Sequence, residues 1–398
     1  MTRYLFGCIC VLALGSMPMV GCGETSGPGG TGGGTGGEGG DGGMGGVGGT
    51  GGTDLCEGVS CQDSECRSDG ACDPIDGACD YEAIVEDGTA CSEGECLDGV
   101  CGPLGAFPCT EQGIRDAIAE GGGPHFFACD GTTPVVTEAE ILIDNDVVLD
   151  GEGDLAIDGN ADHRVFSVAT GVTAELRGLT ATRGVDSGIS NSSDGTLTLM
   201  NSTVSGNTGD TGLFNRGTLT LMNSTVSGNA GEGIFNQAGT ITLMNSTVSG
   251  NTGEGIFNQA GTVMLTNSTV SGKTDDSIHN QGGTVTLTNS LVDGTCNLDP
   301  DIISNGYNIE SPVDTCRFDQ PTDQVNVDAE DLKLGPLQNN GGPTMTHALD
   351  ASSIAVDAIR EAECLDADGE PLTTDQRGEP RPEAGGTMCD VGAFEVQP

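Results

Sequence analysis

A seven-residue block, Asn201-Ser202-Thr203-Val204-Ser205-Gly206-Asn207, returns unchanged at Asn223 to Asn229 and again at Asn245 to Asn251. It returns with one change from Asn267 to Lys273, and a fifth copy opens at Asn289. The period is 22 residues. A fixed period of this length marks a solenoid, in which each repeat buries its apolar face only against its neighbours. Helical repeats are longer, about 33 to 47 residues, and need 3.6-period stretches that are absent here. The segments within one period are short and β-like instead. Gly217 to Met222 alternates polar and apolar residues, Thr225-Val226-Ser227 is rich in β-branched residues, and Gly233-Ile234-Phe235-Asn236 is a third apolar stretch between turn formers. Three short strands joined by Gly and Asn bends make one coil of a parallel β-helix.

Composition agrees with that architecture and excludes others. Trp is absent and only 3 Tyr occur among 398 residues, so an aromatic-rich core is ruled out, whereas stacked Leu, Val and Ile columns suffice for a β-helix. With 13 Lys and Arg against 60 Asp and Glu, the formal net charge is −47. No basic patch exists to neutralise phosphates, so nucleic acid is excluded as a partner. Such acidity suits a protein kept soluble outside the cell, or one whose carboxylates collect divalent cations.

The first residues read as a targeting segment. Arg3 precedes an apolar stretch from Tyr4 to Leu14, too short to span a bilayer comfortably. Met19-Val20-Gly21-Cys22 resembles a bacterial lipobox, which implies a signal peptide over 1–21 and a lipidated Cys22. The alternative is a plain secretory signal with an incidental Cys. Residues 22–54 are nearly all Gly with a few Thr, Ser and acidic residues, a flexible tether with a reach on the order of 30 Å. The expectation is a chain held off a bacterial outer membrane or cell surface by its N-terminal lipid.

Of 17 Cys, Cys8 and Cys10 leave with the signal and Cys22 carries lipid. Eight fall between Cys56 and Cys101, within a 55–102 module too short for a hydrophobic core, and point to disulfide stapling with 105 possible pairings. Its end, Asp87 to Cys101, resembles the short Cys/Gly-rich modules of secreted myxobacterial proteins and disintegrin-like domains. The last six form three sequence-local couples, which predicts Cys109–Cys129, Cys296–Cys316 and Cys364–Cys389. Zinc is the competing use of Cys clusters, but the spacing is not a CxxC framework and only 4 His occur.

A new domain starts at 103. Thr110 can cap a short helix running to Glu120 with Ile114, Ala117 and Ile118 on one face, placed to cover the open end of the first coil. The β-helix is expected over 103–300 and a C-terminal continuation or cap over 301–398. Val147 to Asn160, Arg164 to Val168 and Leu176 to Thr180 resemble the opening coils of bacterial right-handed parallel β-helix proteins with a pectate-lyase-like architecture. Leu334 to Leu349, Ser353 to Ala358, Asp375 to Pro382 and Cys389 to Glu395 resemble the choice-of-anchor Q surface proteins. The resemblance covers about residues 105–396. Members of that family usually carry an anchoring tail after the Gly-Ala-Phe-Glu motif; the lipobox supplies an anchor at the other end instead.

The same fold houses polysaccharide lyases and hydrolases, so catalysis has to be tested on residues. Where sibling coils read Asn-Thr-Gly-Glu-Gly-Ile-Phe-Asn, one reads Lys273-Thr274-Asp275-Asp276-Ser277-Ile278-His279-Asn280. Lys273, Asp275, Asp276 and His279 are the best acid/base candidates in the chain, against simple decay of the repeat near the end of the array. Asp210, Glu232, Glu254 and Asp276 recur at successive coils and form an acidic column with a rise of about 4.8 Å per coil. Such a column either bridges Ca²⁺ or splays into solvent. The Asn201, Asn223, Asn245, Asn267 and Asn289 column is expected at a bend, where Asn tolerates the left-handed region and its amide can reach the next coil. With no Trp and few Tyr, aromatic platforms for sugar rings are expected to be missing. The residues favour a non-enzymatic structural, adhesive or ligand-binding surface protein, with a lyase or hydrolase of acidic polysaccharide as the alternative.

Overall fold

The computed structural model describes residues 105–131, 134–272 and 275–398, together with the strands Arg67–Cys72, Cys79–Ile84, Ala90–Cys91, Gly94–Leu97 and Val100–Gly102. The expected signal peptide, Cys22, the tether and Lys273 lie outside the described residues. The short strands of the Cys-rich module pair as antiparallel hairpins, and Cys91 is joined to Cys101.

Each coil of the solenoid contributes one strand to each of three parallel sheets. Sheet I contains Thr196–Met200, Thr218–Met222, Thr240–Met244, Gly261–Thr266 and Gly283–Thr288. Sheet II contains Thr203–Ser205, Thr225–Ser227, Thr247–Ser249, Thr269–Ser271 and Leu291–Asp293. Sheet III contains Ser187–Asn191, Thr211–Asn215, Glu232–Asn236, Ile256–Asn258, Ile278–Asn280 and Cys296–Leu298. In the first coils the long strands Val147–Asp158 and Thr173–Thr182 run through sheets I and II without a break. The register is in step with the repeat: Leu199, Leu221, Leu243, Leu265 and Leu287 align in sheet I, and Val204, Val226, Val248, Val270 and Val292 align in sheet II. Sheet III adds Ile189, Leu213, Ile234, Ile256 and Ile278. All of these side chains are essentially fully buried, so each contributes about 1.5–3 kcal/mol of apolar burial.

The corners follow from Asn and Gly. Asn201, Asn223, Asn245, Asn267 and Asn289 turn the chain from sheet I to sheet II with φ between 46° and 53°, the left-handed region that Asn tolerates better than most residues. Gly206, Gly228 and Gly250 do the same between sheets II and III, at φ of 63° to 65°. The side-chain ladders differ from expectation. Two other Asn columns form them inside the coils: Asn191, Asn215, Asn236, Asn258 and Asn280 link Nδ2 to Oδ1 at 2.9 Å throughout, and Asn207, Asn229 and Asn251 do the same. The corner amides of Asn245, Asn267 and Asn289 point the other way and donate to the carbonyls of Thr374, Leu365 and Glu363.

The ends are closed as chain chemistry predicts. Helix α1 spans Glu111–Glu120, with Thr110 Oγ1 accepting from the Gly113 amide and Ile114, Ala117 and Ile118 buried against the first coil. Disulfides join Cys109 to Cys129, Cys296 to Cys316 and Cys364 to Cys389. Among the described residues no helix is long and apolar enough to cross a membrane.

Residues 301–398 are only briefly a continuation. Ile303–Ser304 and Ile309–Ser311 extend sheets I and II, after which the chain turns back and lies along the outer face of sheet II. Gln376, fully buried, accepts from the Thr247 hydroxyl at 2.6 Å and donates to Thr225 Oγ1 at 2.9 Å and Thr344 Oγ1 at 2.8 Å. Ser249 donates to His347 Nε2 at 2.7 Å, because His347 Nδ1 is engaged in donating to the Gly335 carbonyl. The backbone amide of Ala393 donates to Thr269 Oγ1, and that of Gly392 to the Asn289 carbonyl. Thr225, Thr247 and Thr269 are thereby buried, whereas Thr203, one coil earlier, is not.

The segment is held shut by its own ion cluster. Arg381 Nε donates to Glu395 Oε2 at 3.0 Å with both side chains fully buried. Arg377 is bidentate on Asp375 Oδ2 and its guanidinium lies 3.7 Å over the Phe394 ring. Three buried carboxylates, Asp375, Asp390 and Glu395, thus face two guanidiniums. Burial pushes Glu395 up to about 7 against the pull of Arg381, and the Asp390 carboxylate adds to the rise. The Asp375 to Pro382 and Cys389 to Glu395 motifs are therefore the two halves of one clamp.

Candidate functional site

Among the described residues, sheet III, unlike sheet II, carries no such cover. Alternation along its strands sends Ile and Asn inward, so the residue between them must point out. That residue is Phe214, Phe235, Phe257 and then His279. The rings form a continuous half-buried ladder, with centroids 5.4, 5.0 and 4.6 Å apart in that order. The Trp and Tyr counts did not point to this ladder, whose ring faces from Phe235 to His279 are turned to one another. The signal was in the sequence as a Phe at equivalent positions of three coils. Arg216 continues past the ladder, its guanidinium 4.8 Å from the Phe214 ring.

The acidic column runs along one side of the ladder. Backbone hydrogen bonds connect its members coil by coil: the Glu232 amide donates to the Asp210 carbonyl, and the amides of Gly233 and Gly255 donate to the carbonyls of Glu254 and Asp276. The column begins one coil earlier than the 22-residue period indicates. Asp186 accepts through its carbonyl from the Asp210 amide, 24 residues on, where the chain between the coils is longer. Arg164 heads the column and pairs with Asp186 at 3.4 Å and Glu140 at 3.9 Å. Glu232, half-buried in the middle, has its carboxyl pushed up by desolvation and by the charges of Glu254, Asp210 and Asp275. A groove of about 880 Å³ is lined by Arg164, Asp186, Asp210, Glu232, Phe214 and Phe235 among others.

Of the acid/base candidates, Asp275, Asp276 and His279 lie among the described residues. His279 Nδ1 lies 3.2 Å from Glu254 Oε1, and its ring stacks on Phe257. Asp276 Oδ1 accepts from the Thr295 hydroxyl at 2.7 Å. Asp275, exposed, accepts from the Asp276 amide. His279 therefore belongs to the ladder and Asp276 to the column.

Among the described residues the carboxylates do not gather as a metal cage. Ca²⁺ takes six to eight oxygens at close range. Among the described residues, one group of three offers metal-ligating atoms within 4.8 Å of one another, namely Cys296, Glu310 and Cys316. Its two sulfurs are consumed by the disulfide, and Glu310 accepts from the amides of Thr315 and Cys316 and from the Thr315 hydroxyl. Glu232, Glu254 and Asp276 stand at aligned positions of successive coils, whereas Asp210 precedes Thr211, the residue in register with Glu232.

No protein-family model and no curated protein sequence matches the chain. Among solved structures, it is similar to the crystal structure of pectate lyase Pel9A, with 14% identity over 74% of this chain and 92% of that one, at a TM-score of 0.42. The assignment of a parallel β-solenoid rests on the strand register itself.

Proposed function

We propose that this chain is a surface protein that binds rather than turns over its ligand, held at the bacterial outer membrane by lipid on Cys22 and carrying the solenoid on the Gly-rich tether. The resemblance of its C-terminal motifs to choice-of-anchor Q proteins and of Met19 to Cys22 to a lipobox supports this reading. The observation that carries it is the outer face of sheet III, uncovered among the described residues, where a ring ladder and a series of carboxylates run over several coils. Such a face suits recognition of an extended ligand, since the same contacts repeat at each coil. His279 and Asp276 are engaged with Glu254 and Thr295, and among the described residues the acidic series gathers no three carboxylates around one point.

The alternative is a lyase or hydrolase acting on acidic polysaccharide. A polyuronate would have to lie against like charge at Asp210, Glu232 and Glu254, which works against it. Incubation with polygalacturonate should release neither unsaturated nor reducing ends. Release that disappears in Asp276→Ala would replace the binding reading with catalysis. The anchor is tested separately: Cys22→Ser should move the protein from the membrane fraction to the soluble one.

A further inference from the structure

We propose that the outer face of sheet I binds ice, holding a layer of ordered water on a two-dimensional array of threonine hydroxyls and methyls. The inference stands on a different sheet from the binding reading and does not depend on it. Alternation along sheet I sends Leu, Ile and Val inward, so Thr196, Thr198 and Met200 point outward. The register then repeats these positions coil by coil. Thr218, Thr240, Thr262 and Thr284 continue the first column. Thr220, Thr242 and Thr286 continue the second, with Met264 in the place between the last two.

The array is periodic in two directions. Coils stack about 4.8 Å apart, and alternate residues of one strand lie about 6.6 Å apart. Thr is β-branched and stiff at χ1, so identical residues on identical backbone present hydroxyl and methyl in the same orientation at each point. None of the hydroxyls in the two columns has a hydrogen-bond partner among the described residues, which leaves them to water. No charged side chain interrupts the array, although the chain carries a net charge of −47. Charges stop one coil before it, where Glu175 and Arg177 stand in register with Thr198 and Met200.

Periodicity selects the occupant. A peptide segment repeats along one axis only. The C-terminal cover shows how such a segment meets Thr in this molecule: it brings Gln376 and His347, single side chains matched to single positions on sheet II. A surface periodic in two directions is matched as a whole only by an ordered solid. The repeats of sheet I lie close to those of water oxygens on a prism face of hexagonal ice. Fixed hydroxyls can bond such waters while methyls fill the space between, and no charged chain has to be stripped of water for the two surfaces to meet. Crystalline polysaccharide is another ordered solid, but stacking on sugar rings needs aromatic faces, and the outward positions here hold Thr and Met alone.

The test is ice-crystal growth in solutions of the full chain, watched on a cooling stage, together with uptake of fluorescently labelled chain into a growing ice hemisphere. The parent should shape crystals into facets, hold their growth below the melting point and enter the ice. Thr220→Lys, in the middle of the array, should lose all three effects while unfolding at the parent's Tm. Ser190→Lys, which places the same charge outward on sheet III, should keep them. Round unshaped crystals and exclusion of the labelled chain from ice would overturn the proposal. So would ice activity that survives Thr220→Lys, or that is lost equally in Ser190→Lys. Sedimentation with microcrystalline cellulose that Thr220→Lys abolishes, without any effect on ice, would overturn it in favour of a solid polysaccharide. A dimer that Thr220→Lys dissociates, again without any effect on ice, would overturn it in favour of a second copy of the chain.

Discussion

Sheets II and III are wound from the same coils, and their inward columns are alike in kind: Val in one, Ile or Leu in the other. Their outward faces have opposite fates. Sheet II points Thr and Ser outward, short uncharged side chains that can both donate and accept, and the C-terminal segment covers them with Gln376, His347 and backbone groups in matching positions. Sheet III points carboxylates and rings outward. Covering these carboxylates with an uncharged segment would strip them of water with no cation to compensate, so such a segment has no favourable way to lie there. One face thus reads as an internal interface and the other as an external one. The difference is set by outward residues that the core never touches.

The contrast between the two faces makes substitutions on them differ in size and sign. The largest effect is expected at Arg381. Arg381→Ala leaves Asp375, Asp390 and Glu395 buried with a single guanidinium, which should cost about 3–5 kcal/mol in denaturant unfolding. Hydrogen exchange should then speed up in Thr225–Ser227 and Thr247–Ser249 but not in Glu232–Asn236. Uniform exchange across all three would mean that cover and coils are one cooperative unit.

Acidity should act in the same place. Glu395 keeps its proton to about 7 in the folded chain against 4.5 for an ordinary glutamate, so the folded state holds a proton that the unfolded state releases. The contribution is fully present below about pH 4.5 and is lost as pH rises through about 7, a span of about 3 kcal/mol at most. Glu232 and Asp390 are shifted in the same direction. Stability should therefore be higher at pH 5 than at pH 8, and Glu395→Gln should flatten much of that slope.

Gln376→Ala removes a buried amide that satisfies Thr247, Thr225 and Thr344, and should cost about 1–3 kcal/mol. On the other face the expected sign reverses. Glu232→Gln removes one of several like charges and should stabilise the free protein by no more than about 1 kcal/mol, read as a small rise in Tm. A fall in Tm would mean that the acidic line is structural.

The repeat made the coils legible because a column needs only one residue type per period. Leu199, Val204 and Ile234 announce their columns to anyone who counts to 22. Helix α1 was legible for a different reason, since Thr110 and the Ile114, Ala117, Ile118 face lie within one local window. The cover was not, because Gln376 meets Thr225 across 151 residues and neither belongs to a shared pattern. The Asn columns show a subtler limit: periodicity marks five Asn at a corner, but an identical period elsewhere marks the ones that ladder. Which amide faces inward depends on the left-handed backbone at Asn201 and its equivalents. Asp186 is hidden because a spacing of 24 breaks the count, and the phenylalanine ladder because a Phe between Ile and Asn reads as part of an apolar strand.

The cover grips the coils from Asn223 to Asn289 through groups that recur in each copy, and it is tethered to the last coil. Since the seven-residue blocks at Asn201, Asn223 and Asn245 are identical, gain or loss of a whole copy presents the cover with the same surface as before. Any change in copy number is passed to the uncovered end of the array. The gene can therefore lengthen or shorten this molecule one rung at a time while its lock stays engaged, and what varies is the reach of the open face.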